Sequence, residues 1–572
     1  MKLSIRWTFI ALAVLLLVIL LKITFFSSDS VSEWGDVRSK AEIEAFMNQM
    51  TMEEKVGQIL MPAIREFDEV PVTETNDELK ELLDTYQPGG IILFRENVRS
   101  RQQVKQLNGA LQQESEVPLL ISIDQEGGLV TRLSYFPELA GNMALGATQN
   151  PGLARETGEV LGAELKQLGI HIDFAPSVDV NSNPHNPVIG IRAYGDDPDR
   201  VGEMGVSFMS GLQEAGVMAV AKHFPGHGGL DLDSHYVLPV SDQSLEELHQ
   251  TDLPPFQMML DEGVGGVMTA HITFPNIDQS EFVSQKDGFP IKVPATISKK
   301  IVKQLLRDEM KFDGLVFTDS MEMKAIADHF GPGEAAVQAV LAGVDVIVMP
   351  DHLKVAYDAL HKAVEEGRIS EQRLDESVRR ILEAKVKWID EDTKELDLSV
   401  TQRALDLEKK VTEQSITLIK NAGNIVPLSL SLDGAITVVS SDAGNLESMK
   451  NALWKHHKKL NLIQLKNSAL TSEEKEKLGN GDVTIMITES TTVLGDGQSE
   501  WEKSVLNEAM THSKQTILVM ARNPYDAAVL TDADAVIAQY SDHHASFQAT
   551  ADVIFGEKEA GGKLPVNLEG IK

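Results

Sequence analysis

From about residue 40 to residue 387 the chain alternates short apolar runs with longer amphipathic stretches. The runs are Val56 to Ala63, Gly90 to Phe94, Leu119 to Ile123, His171 to Pro176, Val217 to Ala221, Gly265 to Ala270, Gly314 to Thr318 and Val344 to Met349. Runs of this length read as buried strands, and the stretches between them have helical spacing. Eight strands alternating with helices predict an α/β fold, a parallel (β/α)8 barrel of the TIM type. Ser370-Glu371-Gln372 then caps a helix through Lys387, and the charged run Asp390 to Glu395 reads as a linker. Beyond it, runs at Ala435 to Val439, Val483 to Thr488, Thr516 to Met520 and Ala535 to Ala538 predict a smaller α/β sandwich domain. The expected organisation is a leader over residues 1–30, a barrel over 31–390, a linker over 391–405 and a second domain over 406–572.

Ionisable residues follow the apolar runs repeatedly. Asp124-Gln125-Glu126-Gly127-Gly128 follows the third, Ser177-Val178-Asp179 the fourth, Lys222-His223 the fifth, His271 the sixth and Asp319 the seventh. They would all fall at the C-terminal strand ends, the face on which barrel enzymes place their chemistry. The densest stretch is Lys222-His223-Phe224-Pro225-Gly226-His227-Gly228-Gly229-Leu230-Asp231-Leu232-Asp233-Ser234-His235. Its prolines and glycines predict a loop, and Gly226, Gly228 and Gly229 predict a hinge within it.

Composition narrows the chemistry. Of 572 residues 86 are acidic and 52 basic, a formal charge of −34 that disfavours nucleic-acid partners. The chain has no cysteine, which excludes disulfides, thiolate metal sites and a cysteine nucleophile. Lys2 and Arg6 precede an apolar stretch from Trp7 to Phe26, interrupted at Lys22, which reads as an export signal or membrane anchor. No small-x-small cleavage site precedes Asp29, so a retained anchor is the favoured form. The expected location is extracytoplasmic, membrane-anchored or secreted.

Three readings of the loop compete. His223, His227, Asp231, Asp233 and His235 are all possible metal ligands, but no helical H-E-x-x-H pattern accompanies them. Glycoside hydrolysis needs an acid group on each side of the scissile bond. Asp319, just before a helix expected near Met321, serves equally as nucleophile or helix N-cap. Asp233 stands two residues from His235, where it can orient the imidazole as a general acid/base. The third reading is a sugar-binding protein without turnover.

Several motifs together resemble glycoside hydrolase family 3, in its bacterial β-N-acetylglucosaminidase branch. They are Lys222 to His227 with Asp233-Ser234-His235, Ile123 to Gly128, Gly190-Ile191-Arg192-Ala193-Tyr194-Gly195 and Phe317-Thr318-Asp319-Ser320-Met321. In the second domain they are Ser415 to Asn421, Arg522-Asn523-Pro524-Tyr525-Asp526 and Gly562 to Val566. The resemblance implies a retaining exo-acting hydrolase with Asp319 as nucleophile, His235 as acid/base and Asp233 as its dyad partner. It assigns sugar contacts to Asp124, Arg132, Arg192, Lys222 and His223, leaves His227 to shape the loop or touch substrate, and implies no cofactor and no metal. The expected substrates are GlcNAc-MurNAc muropeptides. A phosphorylase of the same fold and a β-glucosidase are the rivals.

Overall fold

The computed structural model describes residues 34–389, 396–431, 433–494 and 500–568. The apolar leader and the charged run Asp390 to Glu395 lie outside the described residues. Eight parallel strands close a barrel: β1 (Leu60–Met61), β2 (Gly90–Leu93), β3 (Leu120–Ile123), β4 (Ile172–Asp173), β5 (Met218–Phe224), β6 (Gly266–Thr269), β7 (Leu315–Thr318) and β8 (Ile347–Val348). β2 to β7 form one continuous sheet, and β8 pairs with β1 through Leu60↔Ile347 and Met61↔Val348. Bridges Ala63↔Ile92 and Phe317↔Val346 complete the ring. Inside, Phe174 and Phe317 meet edge to face at 5.3 Å, each burial worth about 2–3 kcal/mol.

Every expected run contains its strand, with two shifts. The first run is divided, because a Thr51/Glu54 capping box launches the helix Met52–Gln58 through Val56; an apolar run alone does not distinguish the end of a helix from a strand. The fifth strand runs on to Phe224, so Lys222 and His223 belong to the strand rather than to the loop.

The second domain is one six-stranded sheet of β9 (Thr417–Asn421), β10 (Ile436–Ser440), β11 (Leu460–Gln464), β12 (Val483–Thr488), β13 (Thr516–Met520) and β14 (Ala535–Ala538). Its order is β9-β14-β13-β12-β10-β11, parallel except for β9 against β14. The four expected runs are its four inner strands. The two edge strands escaped notice because their exposed faces carry Lys420, Asn421, Asn461 and Gln464, which interrupt an apolar run.

The expected linker is helical from residue 399 on. Helix Ser399–Ser415 lies against the barrel through Arg403 to Glu159 and Lys410 to Glu156, so a boundary at 406 cuts through it. The domains also meet directly. Lys563 N–H donates to Ala147 O at 2.9 Å, Asp196 N–H to Pro565 O at 3.2 Å, and Asn181 Nδ2 to Tyr525 Oη at 2.5 Å.

His543 of the second domain sits between Glu138 of the barrel (2.8 Å) and Glu408 (3.5 Å). Burial works against its charge, but hydrogen bonds to the two carboxylates outweigh burial and lift its pKa from 6.5 to about 9. A raised folded-state pKa gives stability that is full below 6.5 and is lost as pH rises through about 9. Glu138 is half-exposed, so this amounts to about 1–2 kcal/mol. The thermal midpoint of the wild type should therefore fall between neutral pH and pH 9 more than that of His543→Gln. Parallel pH profiles for the two proteins would show that the contact is not a latch.

Candidate active site

At the C-terminal strand ends two carboxylates, the half-buried Asp124 and the buried Glu126, hold three cations. Asp124 and Glu126 follow β3; Lys222 lies near the end of β5, and Arg192 closes the turn Gly190–Arg192. Lys222 Nζ lies 2.8 Å from Asp124 Oδ1 and 2.7 Å from Glu126 Oε1. Arg192 grips Glu126 with a two-pronged fork, Nε to Oε2 at 3.0 Å and Nη2 to Oε1 at 2.7 Å. Arg132 Nη2 stands 3.5 Å from Asp124 Oδ2. Burial works to raise the Glu126 pKa, but Arg192 and Lys222 overcome it and hold the carboxyl well below the usual carboxylate range. Glu126 is therefore the keystone of this network. Its loss would strand buried cations, so Glu126→Ala should destabilise the protein by about 3–5 kcal/mol. Urea melts will check this, and a midpoint equal to wild type would contradict it.

A second buried carboxylate, Asp179, organises the loop after β5. It accepts the His227 N–H at 2.8 Å and the Ser177 hydroxyl at 2.9 Å, and it faces His223 Nδ1 at 2.7 Å. Burial opposes its charge, yet His223 and these hydrogen bonds bring its pKa down to about 2. With Nδ1 engaged, Nε2 is the ring atom of His223 available to a ligand.

Two of the three glycines beyond, Gly226 and Gly228, are close-packed rather than hinge-like, while Gly229 is exposed. A Cβ on Gly228 would lie 1.8 Å from Val180 O, and Gly226, at φ +142°, would drive one into Asp252. His227 is buried, its Nε2 3.1 Å from Ser234 Oγ and its carbonyl held by Asn186 Nδ2, and it also lines the cavity. The loop's possible metal ligands do not converge. His223 turns to Asp179, Asp231 is exposed, and Asp233 is committed to His235.

At the loop's far end Asp233 Oδ1 lies 2.7 Å from His235 Nδ1 and accepts the His235 N–H at 2.8 Å. An ionised carboxylate only accepts, so Nδ1 carries the hydrogen and Nε2 is left to shuttle a proton. The His235 side chain is 57% exposed.

Asp319 directly follows β7, and its nearest following helix begins only at Lys324, with Met323 at the cap position. It is no helix cap. Its Oδ1 accepts the neighbouring Ser320 N–H at 2.7 Å, and His271 Nε2 donates to Ser320 O at 2.9 Å, fixing the backbone beside the carboxylate. Burial works to raise the Asp319 pKa; the imidazoles of His223 and His271 and the Ser320 N–H win, and it lies below its ordinary 3.8.

These groups share one cavity of about 400 Å³. Asp319, His235, Asp124, Arg132, Arg192, Lys222 and His223 line it, and Asp233 stands behind His235. Every described residue of the lining belongs to the barrel. Sequence reasoning assigned no role to Glu126, Asp179 or His271, although each stood in a strand-end motif. It also missed Arg65, which lines the cavity and stacks on Phe94 at 4.0 Å. Its position two residues past the first apolar run was the available signal.

Comparison with known proteins agrees with this geometry. Residues 51–384 match the glycosyl hydrolase family 3 N terminal domain, and residues 416–570 match the family's C-terminal domain. The β-hexosaminidase A of Pseudoalteromonas piscicida is 31% identical over 558 residues, covering 87% of this chain and 92% of that protein. The β-hexosaminidase of Nitrosomonas eutropha is 35% identical over 51% of this chain and 83% of its own length. The structure of a family 3 β-N-acetylglucosaminidase from Paenibacillus sp. str. FPU-7 superposes with a TM-score of 0.81 at 35% identity, covering 91% of this chain and 99% of that one. A barrel with this site, joined to this sheet domain, belongs to glycosyl hydrolase family 3.

Proposed function

We propose that this chain is a retaining, exo-acting β-N-acetylglucosaminidase that removes terminal β-linked GlcNAc from peptidoglycan fragments of the GlcNAc-MurNAc type, outside the cytoplasm. The observation that carries the reading is one cavity holding a half-buried, ionised Asp319 and a His235-Asp233 dyad. The names of the similar hexosaminidases support the sugar. The cavity's size and the ion network on Glu126 and Asp124 that lines it support release of single residues. The positively flanked apolar leader of residues 1–30 supports export and a membrane anchor.

In this mechanism the Asp319 carboxylate attacks the anomeric carbon. The glycosidic C–O bond breaks, and His235 Nε2–H gives its proton to the leaving oxygen. Water then attacks the glycosyl-enzyme, gives a proton back to His235 and frees Asp319. Asp233 holds the ring and favours the imidazolium throughout. Asp124 accepts sugar hydroxyl protons, while Arg132, Arg192, Lys222 and His223 donate to hydroxyl or acetamido oxygens.

Initial rates on aryl GlcNAc and aryl glucoside test the sugar. The expected result is a kcat/KM at least about a hundredfold higher on the GlcNAc substrate, because buried donors left unpaired by the missing acetamido group discriminate strongly. Equal or faster cleavage of the glucoside would overturn the choice.

A further inference from the structure

We propose that Tyr236 and Lys324 form the recognition surface for the leaving group, and that the group they select bears a carboxylate. The inference rests on the glycosidase reading above. A general acid must lie beside the oxygen it protonates, so the residues flanking His235 border the departing group rather than the sugar held by Asp319. Tyr236 is the next residue, and Lys324 N–H donates to His235 O at 3.4 Å, tying the loop after β5 to the segment after β7. Lys324 Nζ stands 5.9 Å from the centre of the Tyr236 ring.

Both side chains are free to receive a ligand. Tyr236 is 67% exposed, with exposed Leu232 and Val237 beside it in the chain, and an open aromatic face is a platform for the C–H face of a sugar. Lys324 lines the mouth of the cavity. The other lining cations are paired: Lys222 and Arg132 with Asp124, Arg192 with Glu126, and Arg65 with Glu322 at 3.5 Å. Lys324 has no ion pair among the described residues, and the flanking acids are taken, Glu322 by Arg65 and Asp328 by Lys286 at 2.8 Å. In a chain of charge −34, an uncommitted ammonium at the mouth is the local attraction an anionic substrate needs.

The test uses two disaccharides that differ by one carboxylate-bearing lactyl ether, GlcNAc-MurNAc, whose reducing sugar bears it, and GlcNAc-GlcNAc, which lacks it. The wild type should favour the first in kcat/KM by about fivefold at low salt, and the preference should shrink as salt rises. Lys324→Met should bring the ratio to within about twofold of unity. Tyr236→Ala should raise KM for both by about threefold, and Tyr236→Phe should restore it. Equal wild-type rates, or a Lys324→Met enzyme that loses both activities alike, would overturn the inference and leave the glycosidase reading standing. Failure to split either disaccharide alongside brisk glucoside cleavage would overturn both. Inorganic phosphate distinguishes the other anion source: GlcNAc 1-phosphate formed only when Lys324 is present would reassign the cation to an acceptor anion and overturn the aglycone assignment.

Discussion

Asp319→Ala is expected to lower kcat on an aryl N-acetylglucosaminide by about 10⁴-fold or more, with little change in the folded state. The carboxylate is a net acceptor surrounded by His223, His271 and the Ser320 N–H, and none of these can attack an anomeric carbon in its place. Its depressed pKa keeps it ionised across neutral pH, so the loss should be the same from pH 6 to pH 8. Asp319→Asn is the sharper control, because it preserves volume and the Ser320 hydrogen bond and removes only the nucleophilic oxygen's charge. A fluorinated GlcNAc analogue should label the wild type at Asp319 and leave both variants unlabelled. Label on any other carboxylate, or an alanine variant within tenfold of wild type, would remove Asp319 from the mechanism.

The placement of this carboxylate was legible because a barrel repeats one rule: apolar run, then chemistry, then helix. That rule put Asp124, Lys222, His223 and Asp319 on one face, and all four line the cavity. It could not say which charged groups touch substrate and which hold the others. Glu126 stands two residues from Asp124 in the same motif, yet its side chain is almost wholly buried under Arg192 and Lys222. Asp179 is likewise spent on His223 and the loop backbone. Such roles depend on pairing across strands that are distant in the chain, as Glu126 with Arg192 shows. Glycine misled for a related reason. In sequence Gly226 and Gly228 signal freedom, whereas the fold uses their missing side chains to press the loop against Asp252 and Val180.

The second domain gains a role from its docking site. Asn181 meets Tyr525, and residues 195 and 196 meet Pro565, so two of the three second-domain motifs seen in the sequence rest on the segment that carries Arg192. Gly190, which opens the turn to Arg192, lies under Thr491 O, 3.3 Å from where its Cβ would be. The sheet domain thus backs the barrel wall that positions Arg192 on Glu126, while its described residues stay out of the cavity.

With the acid/base confined to the barrel, His235→Ala should show a loss that depends on the leaving group. An aryl group with an acidic phenol departs without protonation, and its cleavage step should slow by about tenfold or less. A sugar alcohol cannot, and hydrolysis of GlcNAc-MurNAc should fall by about 10³-fold or more, within the range general acid catalysis supplies. Asp233→Asn should fall between the two proteins, because an amide can still accept from Nδ1–H but no longer stabilises the imidazolium. Azide should accelerate the alanine variant on activated substrates by attacking the glycosyl-enzyme without base assistance, giving the β-glycosyl azide expected of a retaining enzyme. Equal losses on both substrate classes would mean that His235 only binds and that the proton comes from elsewhere.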